Sequence, residues 1–181
     1  YGPCTPGPTV CYGVDLARAQ DWTVVYGLDA NGNTSHLSRW QGVPWGETKA
    51  RIAKIIDAPT FADSTGVGDA IVEDLQREKP GYIERFNFGS KSKQNIMEGL
   101  AAAIQTQAIR FDSDVVRSEL ECFEYEYTKT GVKYSAPAGL HDDCVCAMAL
   151  AWAKWVESQH KPVPMVVKVG GGSGTLDGDE S

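Results

Sequence analysis

The order in which strand-like and helix-like segments occur allows this chain few folds. Segments rich in β-branched and aromatic residues come first, at 10–15, 22–28 and 34–40, and an Asn-Gly pair at 31–32 predicts a tight turn between the last two. Strand-like and helix-like segments then alternate as far as residue 112. Antiparallel strands followed by strand–helix alternation indicate one mixed sheet.

Apolar periodicity supplies the remaining predicted elements. Helices are predicted at 47–57, around Ile71 and Leu75, near 91–107, around Val116 and Leu120, and at 142–158. Strands are predicted at 60–63, 83–86 and 108–112. A second hairpin is predicted at 125–134, with Gly131 near its centre. The predicted fold class is therefore α/β, a mixed β-sheet flanked by helices on both faces, with an additional β-hairpin.

The chain is long enough for one compact domain with a sizeable core. Its 181 residues allow roughly 70% of the unfolded surface to be buried, so a disulfide or structural metal is not needed. Pro and Gly predict an extended lead-in at 1–9, the domain covers 10–160, and a Gly/Ser-rich acidic end predicts a flexible tail at 161–181. The first residue is Tyr1, which suggests a fragment of a longer protein. No apolar run approaches the ~18 residues of a membrane span.

Charge, cysteine content and one missing motif exclude several classes of protein. The net charge of −7 argues against a domain that coats nucleic acid with a basic surface, although a nucleic-acid enzyme built around carboxylates can be acidic. The five cysteines, an odd number without framework spacing, favour a reducing compartment. No Walker-type Gly-Lys-Ser/Thr sequence occurs, so the chain itself is not a P-loop ATPase.

Carboxylates stand at three places where a predicted strand ends or a helix begins. Asp15 closes the first strand, Asp63 closes the strand at 60–63, and Asp142 and Asp143 open the last helix. If the first and fourth strands are neighbours, Asp15 and Asp63 lie side by side and a carboxylate of the last helix faces them. Each Asp alone is more often a turn residue or a helix cap, and only their joint placement favours a metal site.

Such a cluster has the chemistry of a two-metal site. Three carboxylates packed closely do not all stay ionised without a cation, and oxygen ligands select Mg²⁺ or Mn²⁺ over Zn²⁺. Two ions about 3.5–4 Å apart activate a water and stabilise the leaving oxygen of a phosphodiester. Cys144 and Cys146 point about 200° apart on a helix, so they are predicted to be packing residues. Asp69, in the first turn of its helix, is predicted to match the helix dipole.

Basic residues in predicted loops are the candidates for contact with a phosphate backbone. They are Arg18, Lys91, Lys93, Lys129 and Lys133. The last two flank Gly131 at the tip of the second hairpin. Solvated surface lysines are an equally good explanation for each one alone.

Three motifs together resemble one protein family. They are GVDLAR at 13–18 with Asp21 just beyond, ADSTGVGD at 62–69, and HDD at 141–143 before an Ala-rich helix. They resemble the C-terminal nuclease domain of the large terminase subunits of tailed bacteriophages, which has the RNase H-like (Holliday-resolvase-like) fold. The resemblance covers roughly residues 10–158.

The resemblance implies a Mg²⁺- or Mn²⁺-dependent endonuclease that cuts concatemeric viral DNA, with little sequence preference, at the start and end of genome packaging. The family's metal-binding acidic triad corresponds to Asp15, Asp63 and Asp143, and Asp142 is an adjacent candidate. The hairpin at 125–134 looks like the family's hairpin close to the DNA groove. Many relatives carry another Asp three residues along the last helix, where this chain has Cys146. Either Asp142 substitutes for it or the second metal site is weak.

The resemblance also implies partners and a location. The partners are double-stranded DNA, an upstream ATPase motor domain of the same full-length chain, the portal and the small terminase subunit. The implied location is the host-cell cytoplasm, and the isolated domain is expected to be a monomer.

Other functions fit the same residues. A Holliday-junction resolvase of the same fold would be a dimer, and a catalytically inactive RNase H-like interaction module would bind no metal. An actin-like or sugar-kinase ATPase is disfavoured, because residues 16–18 supply no Gly- and Thr-rich phosphate turn after the first strand.

Overall fold

A computed structural model describes residues 1–3, 5–16, 21–66, 68–128, 131–137 and 140–160, with the backbone alone at 125–128 and 131–133. The elements are β1 Thr9–Asp15, β2 Thr23–Asp29, β3 Thr34–Trp40, α1 Trp45–Ile55, β4 Thr60–Asp63, α2 Gly68–Glu78, β5 Ile83–Phe86, α3 Ser90–Gln105, α4 Asp114–Cys122, β6 Glu124–Thr128, β7 Gly131–Ser135 and α5 Asp143–His160. None of the described helices is long and apolar enough to cross a membrane.

The main sheet is mixed, as predicted. Its five strands lie in the order β3-β2-β1-β4-β5, and β6 and β7 form a separate antiparallel pair. The first three strands pair antiparallel, whereas β1 pairs with β4, and β4 with β5, in parallel. The first and fourth strands are therefore neighbours. Their register places Val14 opposite Ala62, one residue before Asp15 and Asp63.

Helices cover both faces of the sheet, which confirms the predicted fold class. Alternate residues of β1 point to opposite faces, so Tyr12 and Val14 pack with α1 and α2, and Cys11 packs with the core on the side of α3, α4 and α5. On α5, buried residues run from Asp143 to Trp152, because this helix lies between the sheet and the other two helices. The beginning of α5 thus lies at the ends of β1 and β4.

The contact between β1 and α5 is unusually close at Gly13. A Cβ placed on this glycine would lie 2.1 Å from the Ala147 carbonyl oxygen and 2.3 Å from the Ala151 nitrogen. No side chain fits at that separation, so glycine is required for the helix backbone to rest on the strand. This close contact sets the distance between the end of β1 and the first turn of α5.

One predicted element differs from the structure. Residues 108–112 form no strand but a single bridge between Arg110 and Asn33. Their strand-like pattern arises because Ile109 and Phe111 are buried in the core beside the β2–β3 turn, although the backbone bridge is limited to Arg110, which bonds Gly32 and Thr34. The second hairpin is present as predicted, as β6 and β7, and Gly131 is the first residue of β7, paired with Thr128.

Candidate metal centre

A cavity of about 310 Å³ opens where β1 and β4 end and α5 begins. Its lining residues are Asp15, Leu16, Asp21, Asp63, Thr65, Phe88, Lys93, Asp142, Asp143 and Cys146. Parallel pairing brings Asp15 and Asp63 to the same edge of the sheet. Gly13 faces α5, and Asp15, two residues later, shares that face. The fold therefore gathers carboxylates that are 48 and 80 residues apart in the sequence.

The turn after β4 holds the Asp63 carboxylate in place. Its Oδ1 accepts hydrogen bonds from the backbone N–H of Thr65 at 2.9 Å and from the Thr65 hydroxyl at 2.5 Å. The Thr65 hydroxyl in turn accepts a hydrogen bond from the Phe88 N–H at 2.9 Å. Asp63 is 4% exposed, so this short polar network orients a nearly buried carboxylate.

The first residue of α5 supplies the third carboxylate. Asp143 Oδ2 accepts a hydrogen bond from the Trp22 backbone N–H at 3.2 Å, and His141 Nδ1 lies 3.4 Å from the same oxygen. Asp142 precedes the helix, and its carbonyl accepts the first intrahelical bond, from Cys146 N–H at 2.8 Å. The two neighbouring carboxylates therefore both line the cavity, although only Asp143 is buried.

Charge repulsion and burial disfavour the simultaneous ionisation of several carboxylates in this cavity. Burial, followed by the charges of Asp63, Asp143 and Asp142, raises the pKa of Asp15 well above its ordinary value. Burial also raises the pKa of Asp143 to about 6, with Asp21 adding to the rise and the Trp22 hydrogen bond opposing it. Because a nearby cation favours the ionised form of a carboxyl group, a divalent cation would relieve both shifts.

A lysine of α3 brings positive charge to the cavity. Lys93 Nζ lies 3.4 Å from Asp142 Oδ2 and 5.6 Å from the centre of the Phe88 ring. Burial acts to lower the pKa of Lys93, but Cys146, Asp142 and Asp15 outweigh it and raise this pKa. Lys93 is therefore a protonated partner that offsets part of the negative charge.

The donor set fits a hard divalent cation. Five Asp side chains line the cavity together with the Thr65 hydroxyl, and carboxylate and hydroxyl oxygens are the donors that Mg²⁺ and Mn²⁺ prefer. Within the described ranges, no three His, Cys, Asp or Glu side chains already meet as a ready metal-binding group. Ion binding would therefore draw the carboxylates of β1, β4 and α5 closer together.

The structure brings some predicted site residues together and leaves others apart. Asp15, Asp63, Asp142, Asp143 and Lys93 all line the cavity. Lys91 is exposed at the start of α3 and is not among the lining residues. Arg18 and Lys129 lie outside the described residues, as does the side chain of Lys133 in β7. The metal-binding and DNA-binding roles of all these residues remain predictions.

Asp21 and Cys146 line the cavity but do not belong to the predicted ligand set. Asp21 belongs to the first motif, six residues after Asp15, and that proximity was the available signal. Cys146 is buried against the cavity, whereas Cys144 lies in the core on the side of Glu119, so the two thiols diverge as the helical spacing predicts. Asp69 is 59% exposed at its side chain and pairs with Arg85, away from the cavity, which agrees with a charge at the helix start.

Comparison with known proteins identifies relatives of this chain. The family model described as "Terminase RNaseH-like domain" matches residues 12–154. The large terminase subunit of Thermus phage G20c is 30% identical over 157 residues, which cover 83% of this chain and 32% of that protein. The chain thus spans about a third of the length of this curated relative.

Solved structures agree with the family match. The large terminase nuclease of the thermophilic phage G20c, crystallised with bound magnesium, has a TM-score of 0.73 and 28% identity, over 81% of this chain and 82% of that one. The nuclease domain of the bacteriophage SPP1 large terminase, crystallised with bound Mn, has a TM-score of 0.54 and 19% identity, over 78% of this chain and 84% of that one. The second likeness shows the shared fold alone.

Proposed function

The chain belongs to the terminase RNase H-like domain family, and on that basis we propose that it is a Mg²⁺- or Mn²⁺-dependent DNA endonuclease. The observation that carries the proposal is the convergence of Asp15, Asp63 and Asp143, from three separate elements, on one cavity. Its proposed role is to cut concatemeric viral DNA, with little sequence preference, when genome packaging starts and ends.

Asp15, Asp63 and Asp143 are the proposed metal ligands, with Asp142 beside them. Two bound ions would supply a water ionised at neutral pH and a positive charge beside the leaving oxygen of the phosphodiester. The hydrogen bonds from Thr65 to Asp63 and from Trp22 to Asp143 would restrict how these carboxylates turn as an ion draws them together. Such outer contacts orient ligands and reduce the reorganisation that metal binding requires.

DNA contact is proposed for Lys93, Lys91, Arg18, Lys129 and Lys133. Lys93 lies in the cavity itself, where a scissile phosphate would approach the carboxylates. The net charge of −7 implies weak binding of DNA by this chain alone. Tight binding in a gel shift without metal would contradict that expectation.

The proposed partners follow from the family. This chain matches a third of the G20c large subunit, and the proposed full-length protein carries an ATPase motor domain upstream. The portal, the small terminase subunit and double-stranded DNA are the other proposed partners, and the host-cell cytoplasm is the proposed location. The family match favours this role over that of a junction resolvase.

Cleavage of supercoiled plasmid tests the proposal directly. We expect nicked and linear products with Mn²⁺ or Mg²⁺, and none with Ca²⁺ or with EDTA. Cleavage that continues in EDTA would contradict a metal-dependent reaction. A chain that neither cleaves DNA nor binds Mn²⁺ in calorimetry would instead be an inactive interaction module.

Divalent metal is expected to stabilise the fold against heat. Bound cations remove the repulsion among buried carboxylates, and binding to the folded state alone adds about 2.7 kcal/mol at a metal concentration 100 times Kd. Thermal unfolding of the wild type with and without Mn²⁺ measures this, with Asp63→Asn as the control that should lose most of the gain. An equal gain in both proteins would place the bound ion elsewhere.

Removing Lys93 is expected to affect metal binding and cleavage in opposite directions. Lys93→Ala deletes the side-chain cation that competes with the metal for Asp142, so Mn²⁺ affinity should rise several-fold. Cleavage at saturating Mn²⁺ should fall, because the proposed contact between Lys93 and a DNA phosphate is lost. Calorimetry and plasmid cleavage measure the two effects. The matched control is Lys91→Ala, two residues away and exposed, which should leave Mn²⁺ affinity unchanged.

A further inference from the structure

A buried carboxylate outside the cavity contacts the first turn of α5 beside Asp143. Glu119 of α4 is 7% exposed and does not line the metal centre. Its Oε2 accepts hydrogen bonds from the backbone N–H groups of Cys144, at 2.7 Å, and Val145, at 3.3 Å. These are the two residues that directly follow Asp143 on α5.

Glu119, a residue of α4, caps the N-terminus of α5. The first N–H groups of a helix have no partner within the helix, and a negative charge there is favoured by the helix dipole. The 18-residue helix α5 begins at Asp143, so the Glu119 carboxylate fixes the backbone turn that carries this proposed ligand. The position of Asp143 therefore depends on a side chain 24 residues earlier in the sequence.

Arg39 links Glu119 to the group that holds the Asp143 side chain. Its Nη1 lies 3.8 Å from Glu119 Oε1, and its guanidinium carbon lies 3.9 Å from the centre of the Trp22 ring. The Trp22 N–H donates to Asp143 Oδ2. One chain of contacts, Glu119–Arg39–Trp22, thus reaches the backbone N–H groups of the two residues after Asp143 and the carboxylate of Asp143 itself.

The contact between Arg39 and Glu119 adds little stability of its own. Arg39 Nε and Glu119 Oε1 are buried and have no hydrogen-bond partner among the described residues. A buried ion pair with incomplete hydrogen bonding costs about as much in desolvation as it returns, and apolar residues often replace such a pair without loss. A charged pair at this position is better explained by the placement of Asp143.

We propose that Glu119 is a positioning residue for the metal ligand Asp143, acting through the first turn of α5. This inference rests on the proposed nuclease function, since it assigns Glu119 a task only if Asp143 binds metal. Glu119 would work as an outer-shell partner, and the loss of such partners typically lowers metal affinity or activity 10–100-fold.

The test compares Glu119→Ala and Glu119→Gln with Glu121→Ala. Glu121 lies two residues later on α4, and its exposed side chain pairs with Arg117 at 2.8 Å, so it is a matched control. Mn²⁺ affinity is measured by calorimetry, and plasmid cleavage is measured over a range of Mn²⁺ concentrations. We expect about 10–100-fold weaker Mn²⁺ binding for Glu119→Ala, a smaller loss for Glu119→Gln, and wild-type affinity for Glu121→Ala.

Cleavage by the Glu119 variants should recover as Mn²⁺ is raised, because the ligands themselves remain. If Glu119→Ala is less stable but binds Mn²⁺ as well as the wild type, Glu119 is only a structural cap and the inference is wrong. If Glu119→Ala does not fold, the test uses Glu119→Gln, which keeps an oxygen acceptor but carries no charge. Wild-type Mn²⁺ affinity in Glu119→Gln would then overturn the inference. Absence of Mn²⁺ binding in the wild type would overturn the proposed function itself.

Discussion

Asp63→Asn is expected to abolish metal-dependent DNA cleavage while the domain stays folded. The substitution removes one carboxylate from the cavity in which Asp15 and Asp143 are the other two proposed ligands. An amide is a weaker ligand for Mg²⁺ or Mn²⁺ and carries no charge to balance the ion. Because the loss of an outer-shell partner costs 10–100-fold, loss of a ligand should reduce plasmid cleavage by more than about 100-fold.

The fold should tolerate this change because Asn preserves the local hydrogen bonds. The Asn side-chain oxygen can still accept from the Thr65 N–H and hydroxyl, as Asp63 does. Removing a negative charge beside Asp15 also relieves the repulsion that raises the pKa of that carboxyl group. We therefore expect thermal unfolding without metal at the wild-type temperature or above it.

Asp69→Asn is the matched control for Asp63→Asn. Asp69 belongs to the same strand–turn–helix segment, but its exposed side chain pairs with Arg85 outside the cavity. An exposed ion pair contributes about 0–1 kcal/mol, so this variant should cleave like the wild type. If Asp63→Asn and Asp15→Asn both cleave plasmid as the wild type does, the nuclease site lies elsewhere or the activity comes from a contaminating nuclease.

The sequence predicted the elements and the carboxylates that each element carries by itself. Asp15 and Asp63 end strands whose β-branched and aromatic residues are a local signal, and Asp143 begins a helix with strong apolar content. The prediction that Asp15 and Asp63 meet required the first and fourth strands to be neighbours. The sequence alone did not establish this, because strand pairing depends on contacts between residues that are distant in the sequence. The observed parallel register fulfils that condition.

Features that depend on packing between distant elements had no comparable signal. Glu119 borders the apolar face of α4, three residues after the buried Val116, but the sequence does not show that this face meets the start of α5. Lys93 was predicted both in the loop after Gly89 and at the beginning of the helix near 91–107; α3 begins at Ser90, and its packing places Lys93 at the cavity. The apolar residues at 109 and 111 suggested a strand because burial and strand pairing give the same short pattern.

Gly13→Ala is expected to destabilise the domain and to weaken metal binding together. The new Cβ would lie 2.1 Å from the Ala147 carbonyl oxygen and 2.8 Å from the Leu150 Cβ, and the first of these is a backbone atom that no rotamer change can move. Interiors are close-packed, so α5 must shift away from β1. Overpacking costs 1–3 kcal/mol and occasionally more, so a loss of about 3 kcal/mol is expected here.

The same shift would separate the proposed ligands. Asp15 lies two residues after Gly13, and Asp143 lies one helical turn before Ala147, so moving α5 off the strand moves Asp143 away from Asp15. Mn²⁺ affinity should therefore fall in the fraction that remains folded. Thermal unfolding should show a decrease of roughly 6–12 °C for about 3 kcal/mol in a domain of this size.

Gly99→Ala is the matched control for Gly13→Ala, since it makes the same chemical change at a site with room for it. Gly99 lies inside α3, and nothing lies within 4 Å of its added Cβ. Alanine in a helix interior is favoured over glycine by about 0.5–1 kcal/mol, so this variant should be slightly more stable, with unchanged Mn²⁺ affinity. If Gly13→Ala unfolds at the wild-type temperature, β1 and α5 are not in backbone contact. If it is destabilised yet binds Mn²⁺ normally, the β1–α5 contact supports the core but does not set the separation of Asp15 and Asp143.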